Sequence, residues 1–420
     1  MQQIRINGER LWHTLMQMAD IGATANGGCN RQALTDSDQQ GRELFLQWCR
    51  ASGYAVRYDA IGNLFVRRAG KNSDADADGE SDDVPAPVAL GSHLDTQPTG
   101  GRFDGVLGVL AGLEVLRSLD DHKIATKSPL EVIVWTNEEG ARFSPAMMGS
   151  AVYGGKLSLQ AALSAKDAEG ISVGAELRRL GYDAPKSSLR HPLQAYFELH
   201  IEQGPLLEQS GNSIGVVTGG QAIRWYDVLM RGEETHAGPM PMALRKDPVM
   251  ALPKLLSAVY EVADKNSDGR ATIGQLQAFP GSRNVVPGRV ALTVDLRHPQ
   301  EQMLQAMDEN LHAALATLGQ EFPHLSLDCR PVWHSPVVRF ADELVARIRC
   351  ATETLGYRHQ DIISGAGHDA FNVAAKTAAA MIFIPCAGGL SHNEQESATP
   401  QDCEDGANVL LHAVLQTANV

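Results

Sequence analysis

The sequence predicts a two-part α/β protein: a mostly parallel sheet covered by helices, with a smaller α+β unit inserted into it. Apolar, strand-like runs alternate with helical stretches through the first half of the chain, the pattern of a parallel sheet. After Gly211 the texture changes to alternating, β-rich segments. The length of 420 residues exceeds what a single core usually needs.

Taken in order, the first strand is Val88–Leu94 (VALGSHL). The glycine-rich TQPTGGRFDG follows, then GVLGVLAGLEVLRSL, whose apolar spacing suits a packed helix. Leu130–Thr136 (LEVIVWT) and Ala195–Ile201 (AYFELHI) are the next two buried strands, with a helical stretch at Ser158–Ala168 between them. IGVVTGG, IRWYDVLMRG, ATIGQLQAFPG and RVALTVDLRHP then read as strands, with helices at Asp247–Asp264 and Gln300–Leu318. The β-rich stretch ends near Leu325–Arg330. Helical Asp342–Leu355 and apolar AAAMIFIPCAG return the chain to the first sheet. The expected division is 1–217 with 334–420 for the main unit and 218–333 for the insert. Lys71–Pro87, rich in acids and almost without apolar residues, reads as a solvated loop.

Composition excludes several function classes. With 36 Lys+Arg against 50 Asp+Glu the formal charge is -14, which lacks the basic surplus that binding to nucleic acid or an anionic membrane needs. No apolar run approaches the ~20 residues that span a bilayer, and the N-terminus lacks a signal-peptide apolar region, so the expected compartment is the cytoplasm. The six cysteines form no CxxC pair and read as reduced packing residues.

Chemistry-bearing residues gather where strands end. His93 and Asp95, two apart, share one face of the first strand, so that one can bind a metal while the other orients it. Asp104 follows GGRF and precedes a helix, placed to bridge two ions. After the second strand come Glu138 and Glu139, of which only one faces the metal in extended backbone, leaving the other for proton transfer. His200 ends the third strand and His392 follows the last apolar run. An open α/β sheet binds ligands beyond the carboxyl ends of its strands, and imidazole with carboxylate is a donor set for Zn²⁺ and related ions. Gly211–Gly215 fits G-x-S-x-G, but a helix precedes it and a strand follows, the reverse of a serine-hydrolase elbow. No HExxH occurs, and no GxGxxG follows a strand.

The blocks GSHLDTQPTGGRFDGVLGVLAG, NEEGARFSPAMMGS, ELHIEQGPLLE, GEETHAGPMP, GSRNVVPG, SGAGHDA and GLSHNEQE resemble, in order, those of the M20 clan of dimetal amidohydrolases and peptidases. Within it they look like the carbamoyl-amidase branch of N-carbamoyl-L-amino acid hydrolases, β-ureidopropionases and allantoate amidohydrolases. The resemblance implies a mostly parallel-sheet dimetal catalytic domain with an inserted, smaller α+β lid and dimerisation domain. It implies two divalent ions per subunit (zinc, with manganese, cobalt or nickel as alternatives) held by His93, Asp104, Glu139, His200 and His392, with Asp104 bridging. Glu138 would be the general base and Asp95 the partner that fixes the His93 ring. His236 would polarise the scissile carbonyl, completing the partner subunit's site in a homodimer. Asn284 and Arg297 would clamp the substrate carboxylate, and Gln203 would face the substrate. His368 reads equally as a substrate contact or a structural hydrogen bond. The implied activity is hydrolysis of an N-carbamoyl amino acid to the amino acid, carbon dioxide and ammonia. Allantoate amidohydrolase is the runner-up, ahead of a dipeptidase of the same clan or a catalytically silent metal-binding protein.

Overall fold

The structure, a computed structural model, describes residues 4–71, 86–182 and 192–419, so nearly all of the acidic Lys71–Pro87 stretch lies outside the described residues. Along the chain the strands are β1 (Ala55–Tyr58), β2 (Leu64–Arg68), β3 (Val88–His93), β4 (Leu130–Trp135), β5 (Ala195–Ile201) and β6 (Ile214–Gly220). There follow β7 (Ala222–Arg231), β8 (Thr235–His236), β9 (Arg270–Thr272), β10 (Leu276–Phe279), β11 (Val285–Val286), β12 (Arg289–His298) and β13 (Ser326–Ser335). The last are β14 (Val338–Arg339), β15 (His359–Ser364) and β16 (Ala379–Ile384). Contacts divide the chain into two compact units, Met1–Gly219 with Arg339–Val420, and Gly220–Val338.

In the first unit the strand order is β1-β2-β4-β3-β5-β16-β6-β14, with β15 against β6. The central run β4-β3-β5-β16 is parallel, and β1, β2 and β6 join it antiparallel. Every residue of those four central strands is buried, as expected where both faces carry helices. Helix Val106–Asp121 is apolar almost all round and correspondingly buried. Helix Pro400–Ala418 starts from Thr399, whose side chain accepts from Asp402 N, with proline at its first position. The stretch expected as one helix at Ser158–Ala168 is shorter, Leu159–Ser164. Asp167 ends it by accepting hydrogen bonds from Ile171 N and Arg142, which folds the chain into a Lys166–Ser172 bridge before a second helix, Val173–Leu180.

The second unit is an antiparallel sheet of order β10-β12-β7-β13, with β9 against β12, and a separate β11-β8 pair. Helices Leu252–Asp264 and Glu301–Glu321 cover one face, where Tyr226, Val228, Met230, Val290, Leu292 and Val294 form the core with Leu255, Val259 and Leu311. The alternate residues of β7 and β12, including Trp225, Asp227, Asp295 and Arg297, point to the opposite, open face. β13 runs beyond the expected end of the β-rich stretch, to Ser335, through a register shift between Pro331 and Trp333. Proline is tolerated there because β13 is an edge strand.

Candidate metal centre

Parallel pairing puts the carboxyl ends of β3, β4, β5 and β16 at one edge of the sheet, and the side chains that end or follow them converge there. Two groups of potential ligands form. His93, Asp104 and His200 make the first, and Asp104, Glu139 and His392 the second, with the ligand atoms of each group within 4.8 Å of one another. Asp104 belongs to both. Its Oδ1 lies 3.5 Å from His93 Nε2 and 3.2 Å from His200 Nε2, while Oδ2 lies 3.5 Å from His392 Nε2. Glu139 Oε2 is 3.2 Å from His392 Nε2, and Glu138 Oε2 is 3.5 Å from His93 Nε2.

Both buried imidazoles are oriented for ligation. His93 Nδ1 lies 2.9 Å from the Asp95 carbonyl and His200 Nδ1 2.9 Å from the Ile201 carbonyl. A carbonyl only accepts, so each Nδ1 carries the proton and each Nε2 lone pair faces the cluster. Gly105 N–H donates to the His200 Nε2 lone pair at 3.1 Å. The Asp95 main-chain oxygen, and not its carboxylate, thus makes the contact with the His93 ring. The Asp95 carboxylate, 3.9 Å from His93 Nδ1, instead accepts from the backbone N–H groups of Glu138 and Glu139 at 3.2 and 3.1 Å. Strand β4 ends at Trp135, before both glutamates. Asn137 sits in the left-handed region with φ 55°, its amide donating to the Phe143 and Pro145 carbonyls, and the turn aims Glu138 at His93 and Glu139 at His392.

The donor set fits divalent cations. Asp104, Glu138, Glu139, Asp95 and Glu396 crowd together, and among the described residues no lysine or arginine hydrogen-bonds to any of them. Burial and neighbouring carboxylates push Glu138 well above its ordinary value, and burial pushes Asp95 to about 6 and Glu396 to about 7. Against burial, the charges of Glu138, Asp104 and Asp95 hold His93 well above its usual value, and the Glu139 hydrogen bond lifts His392 to about 9. Such a pattern is that of a site short of positive charge.

Sequence reasoning missed the residues that hold this constellation. Glu396 Oε1 accepts from Phe103 N and Asp104 N at 2.9 and 3.0 Å, and Ser391 Oγ donates to Asp104 Oδ2 at 2.9 Å. A Cβ on Gly101 would sit 2.1 Å from the Glu396 carboxyl, so that approach requires glycine. Gln97 donates to Glu139 from both its main-chain N and Nε2. The available signal was the acidic tail of GLSHNEQE, read only for its histidine.

The remaining expected residues fall elsewhere. Gln203, at φ 58°, donates its amide to Asp104 Oδ2 at 2.8 Å and to Ser391 Oγ, so it braces Asp104 where a substrate contact was expected. His368 is buried, 3.1 Å from Ser364 Oγ and with its ring centroid 4.6 Å from that of His200. Burial holds it well below its usual value, which favours the neutral imidazole. His236, Asn284 and Arg297 lie in the second unit. The β8-β11 pair brings the first two together, with His236 opposite Val285 and Ala237 N donating to the Asn284 carbonyl. His236 Nδ1 accepts from Gly238 N, which leaves the proton on exposed Nε2. Arg297 forms a fork onto its neighbour Asp295, with contacts of 2.8–3.1 Å.

Comparison with known proteins places the chain among similar sequences and folds. The family model described as Peptidase family M20/M25/M40 matches residues 89–416. A Rhizobium meliloti protein named N-carbamoyl-L-amino-acid amidohydrolase is 45% identical over 419 residues, covering 99% of this chain and 98% of its own. The Escherichia coli K12 allantoate amidohydrolase is 33% identical over 411 residues, covering 96% and 97%. A hydantoinase/carbamoylase family amidase from Burkholderia multivorans superposes with a TM-score of 0.91 at 48% identity, covering 99% of this chain and all of the other.

Proposed function

This chain belongs to the peptidase family M20/M25/M40, and from that premise we propose that it hydrolyses the carbamoyl C–N bond of N-carbamoyl-L-amino acids, giving the amino acid, carbon dioxide and ammonia. The observation that carries the reading is the pair of ligand groups sharing Asp104, with Glu138 beside them and unused by either. His93, Asp104 and His200 would hold one ion, and Asp104, Glu139 and His392 a second. Zinc is the first candidate, and manganese, cobalt and nickel suit the same donors. Divalent cations held there supply Lewis acidity toward the ureido carbonyl, a lower pKa for water, and positive charge that returns Glu138 to its ionised form.

Glu138 takes the proton from the attacking water and delivers it to the departing nitrogen. Asp95 fixes the peptide turn that aims it. His236, with its proton on Nε2, donates to the oxygen on which charge develops. Arg297 and Asn284 receive the carboxylate, Arg297 by exchanging part of its fork on Asp295 for the substrate. The protein works as a cytoplasmic homodimer in which His236 of one subunit serves the site of the other. Among the described residues no helix is long and apolar enough to cross a membrane.

Allantoate is the second reading, favoured by the similarity to the E. coli enzyme. Product assays with an N-carbamoyl-L-α-amino acid, N-carbamoyl-β-alanine and allantoate separate the possibilities. Preference for allantoate by tenfold or more in kcat/KM would overturn the assignment.

A further inference from the structure

The open face of the second unit's sheet carries two tryptophans that its core does not use. Trp225 on β7 is 43% exposed and Trp333 on β13 is 40% exposed. They stand directly opposite each other across the β7-β13 pair, with ring centroids 4.7 Å apart and planes inclined by 48°. On its other side Trp225 is directly opposite Asp295 of β12, the residue that holds the Arg297 fork. Arg297 itself is opposite Ile223, so it is the diagonal neighbour of Trp225 on the same face. Diagonal positions on one face of an antiparallel sheet lie ~7–8 Å apart, within reach of an aromatic side chain.

A purely structural account leaves much of this pair unexplained. A cross-strand aromatic pair does help to pin an edge strand next to a register shift. Yet that task needs only a contact between the rings, and here both keep around two fifths of their surface open, with Trp225 next to the Asp295–Arg297 pair. A broad apolar surface next to a guanidinium is the chemistry that recognises an α-amino acid derivative: a carboxylate on one side and an apolar side chain on the other.

We propose that Trp225 and Trp333 form the shelf that receives the substrate side chain, and that they set the specificity of this chain toward N-carbamoyl-L-amino acids with large apolar or aromatic side chains. The proposal rests on the carboxylate role of Arg297 and deepens it. Once the carboxylate engages Arg297, the α-carbon lies a bond away and its side chain extends along the face toward Trp225. Substrates without a side chain at that carbon, such as N-carbamoylglycine, leave the shelf unused.

The test compares kcat/KM for N-carbamoyl-L-phenylalanine and N-carbamoylglycine in the wild type and in Trp225→Ala, Trp333→Ala and Trp225→Phe. Wild type is expected to favour the phenylalanine derivative by at least tenfold. Trp225→Ala should collapse that ratio by tenfold or more and Trp333→Ala by less, whereas Trp225→Phe, which retains a flat apolar face, should keep it within about threefold. A merely structural role would depress both substrates together and leave the ratio untouched, and that result overturns the shelf. So does a wild type that hydrolyses both derivatives at equal rates. A wild type that hydrolyses neither overturns the carbamoyl reading itself, and the shelf falls with it.

Discussion

Glu138 and Glu139 are adjacent in the chain but face different partners, because the left-handed Asn137 turns the backbone so that one carboxylate meets His93 and the other His392. Glu138→Gln is expected to retain its cations while losing about 10²–10⁴ in turnover, the usual worth of a general base. Elemental analysis beside steady-state kinetics checks this, and a variant with near-normal turnover would sink the assigned role. His392 supplies a second residue-level test. In cation-free protein, the hydrogen bond to Glu139 raises it to about 9, above the ~6.5 of an unfolded chain. A raised histidine stabilises fully below the unfolded value, and that contribution disappears as pH rises from there to about 9. Chelator-treated wild type should therefore lose Tm between pH 6.5 and 9 relative to His392→Gln, which lacks the contribution throughout. Parallel Tm curves for the two proteins would rule this out. The residues that gather in these two groups could be named from the sequence because strand-end histidines and acids stand in recognisable blocks. Their supports could not: Glu396, Ser391 and Gln97 act on Asp104 and Glu139 from loops remote in the chain, and no local pattern reports such contacts. Likewise, nothing in the sequence distinguishes the carbonyl of Asp95 from its carboxylate, or shows that Gln203 braces Asp104.

At the level of elements, the site depends on how closely helix Val106–Asp121 begins beside β3. Gly105, at φ 67°, caps that helix, and a Cβ there would lie 2.3 Å from the His93 ring. Gly105→Ala meets both a backbone penalty and a clash with the His93 ring. It should lose cation from the His93, Asp104 and His200 group and lower kcat/KM by more than tenfold, while the far-UV spectrum stays native. Equilibrium dialysis with the metal decides the matter, since a variant binding as tightly as wild type contradicts this placement. Of the central strands, β3, β4 and β5 were readable within about a residue, because short apolar runs between turn signals suit fully buried parallel strands, whereas the apolar run over β16 extends four residues beyond its end. The helix expected through Ala168 stops at Ser164 because a single side chain, Asp167, offers the backbone an alternative partner.

For the whole molecule, the proposed homodimer predicts complementation between defective chains. Mixing His236→Ala with Glu138→Gln protein should restore about a quarter of wild-type activity at equal ratios, because only mixed dimers pair an intact base with an intact donor. No recovery above the two separate proteins, after exchange of subunits has been demonstrated by mass, would refute trans completion. The discontinuous first unit has a consequence for how the chain acquires its structure. β16 occupies the slot between β5 and β6, pairing Ala379 with Tyr196, although the whole second unit is synthesised between them. The nascent chain can thus assemble His93, Asp104 and His200 before residue 379 exists, whereas the group containing His392 must wait for the last strand to close its loop. Until then the edges of β5 and β6 that β16 covers stay unpaired, and closing so long a loop to reach them slows the last step in forming the sheet.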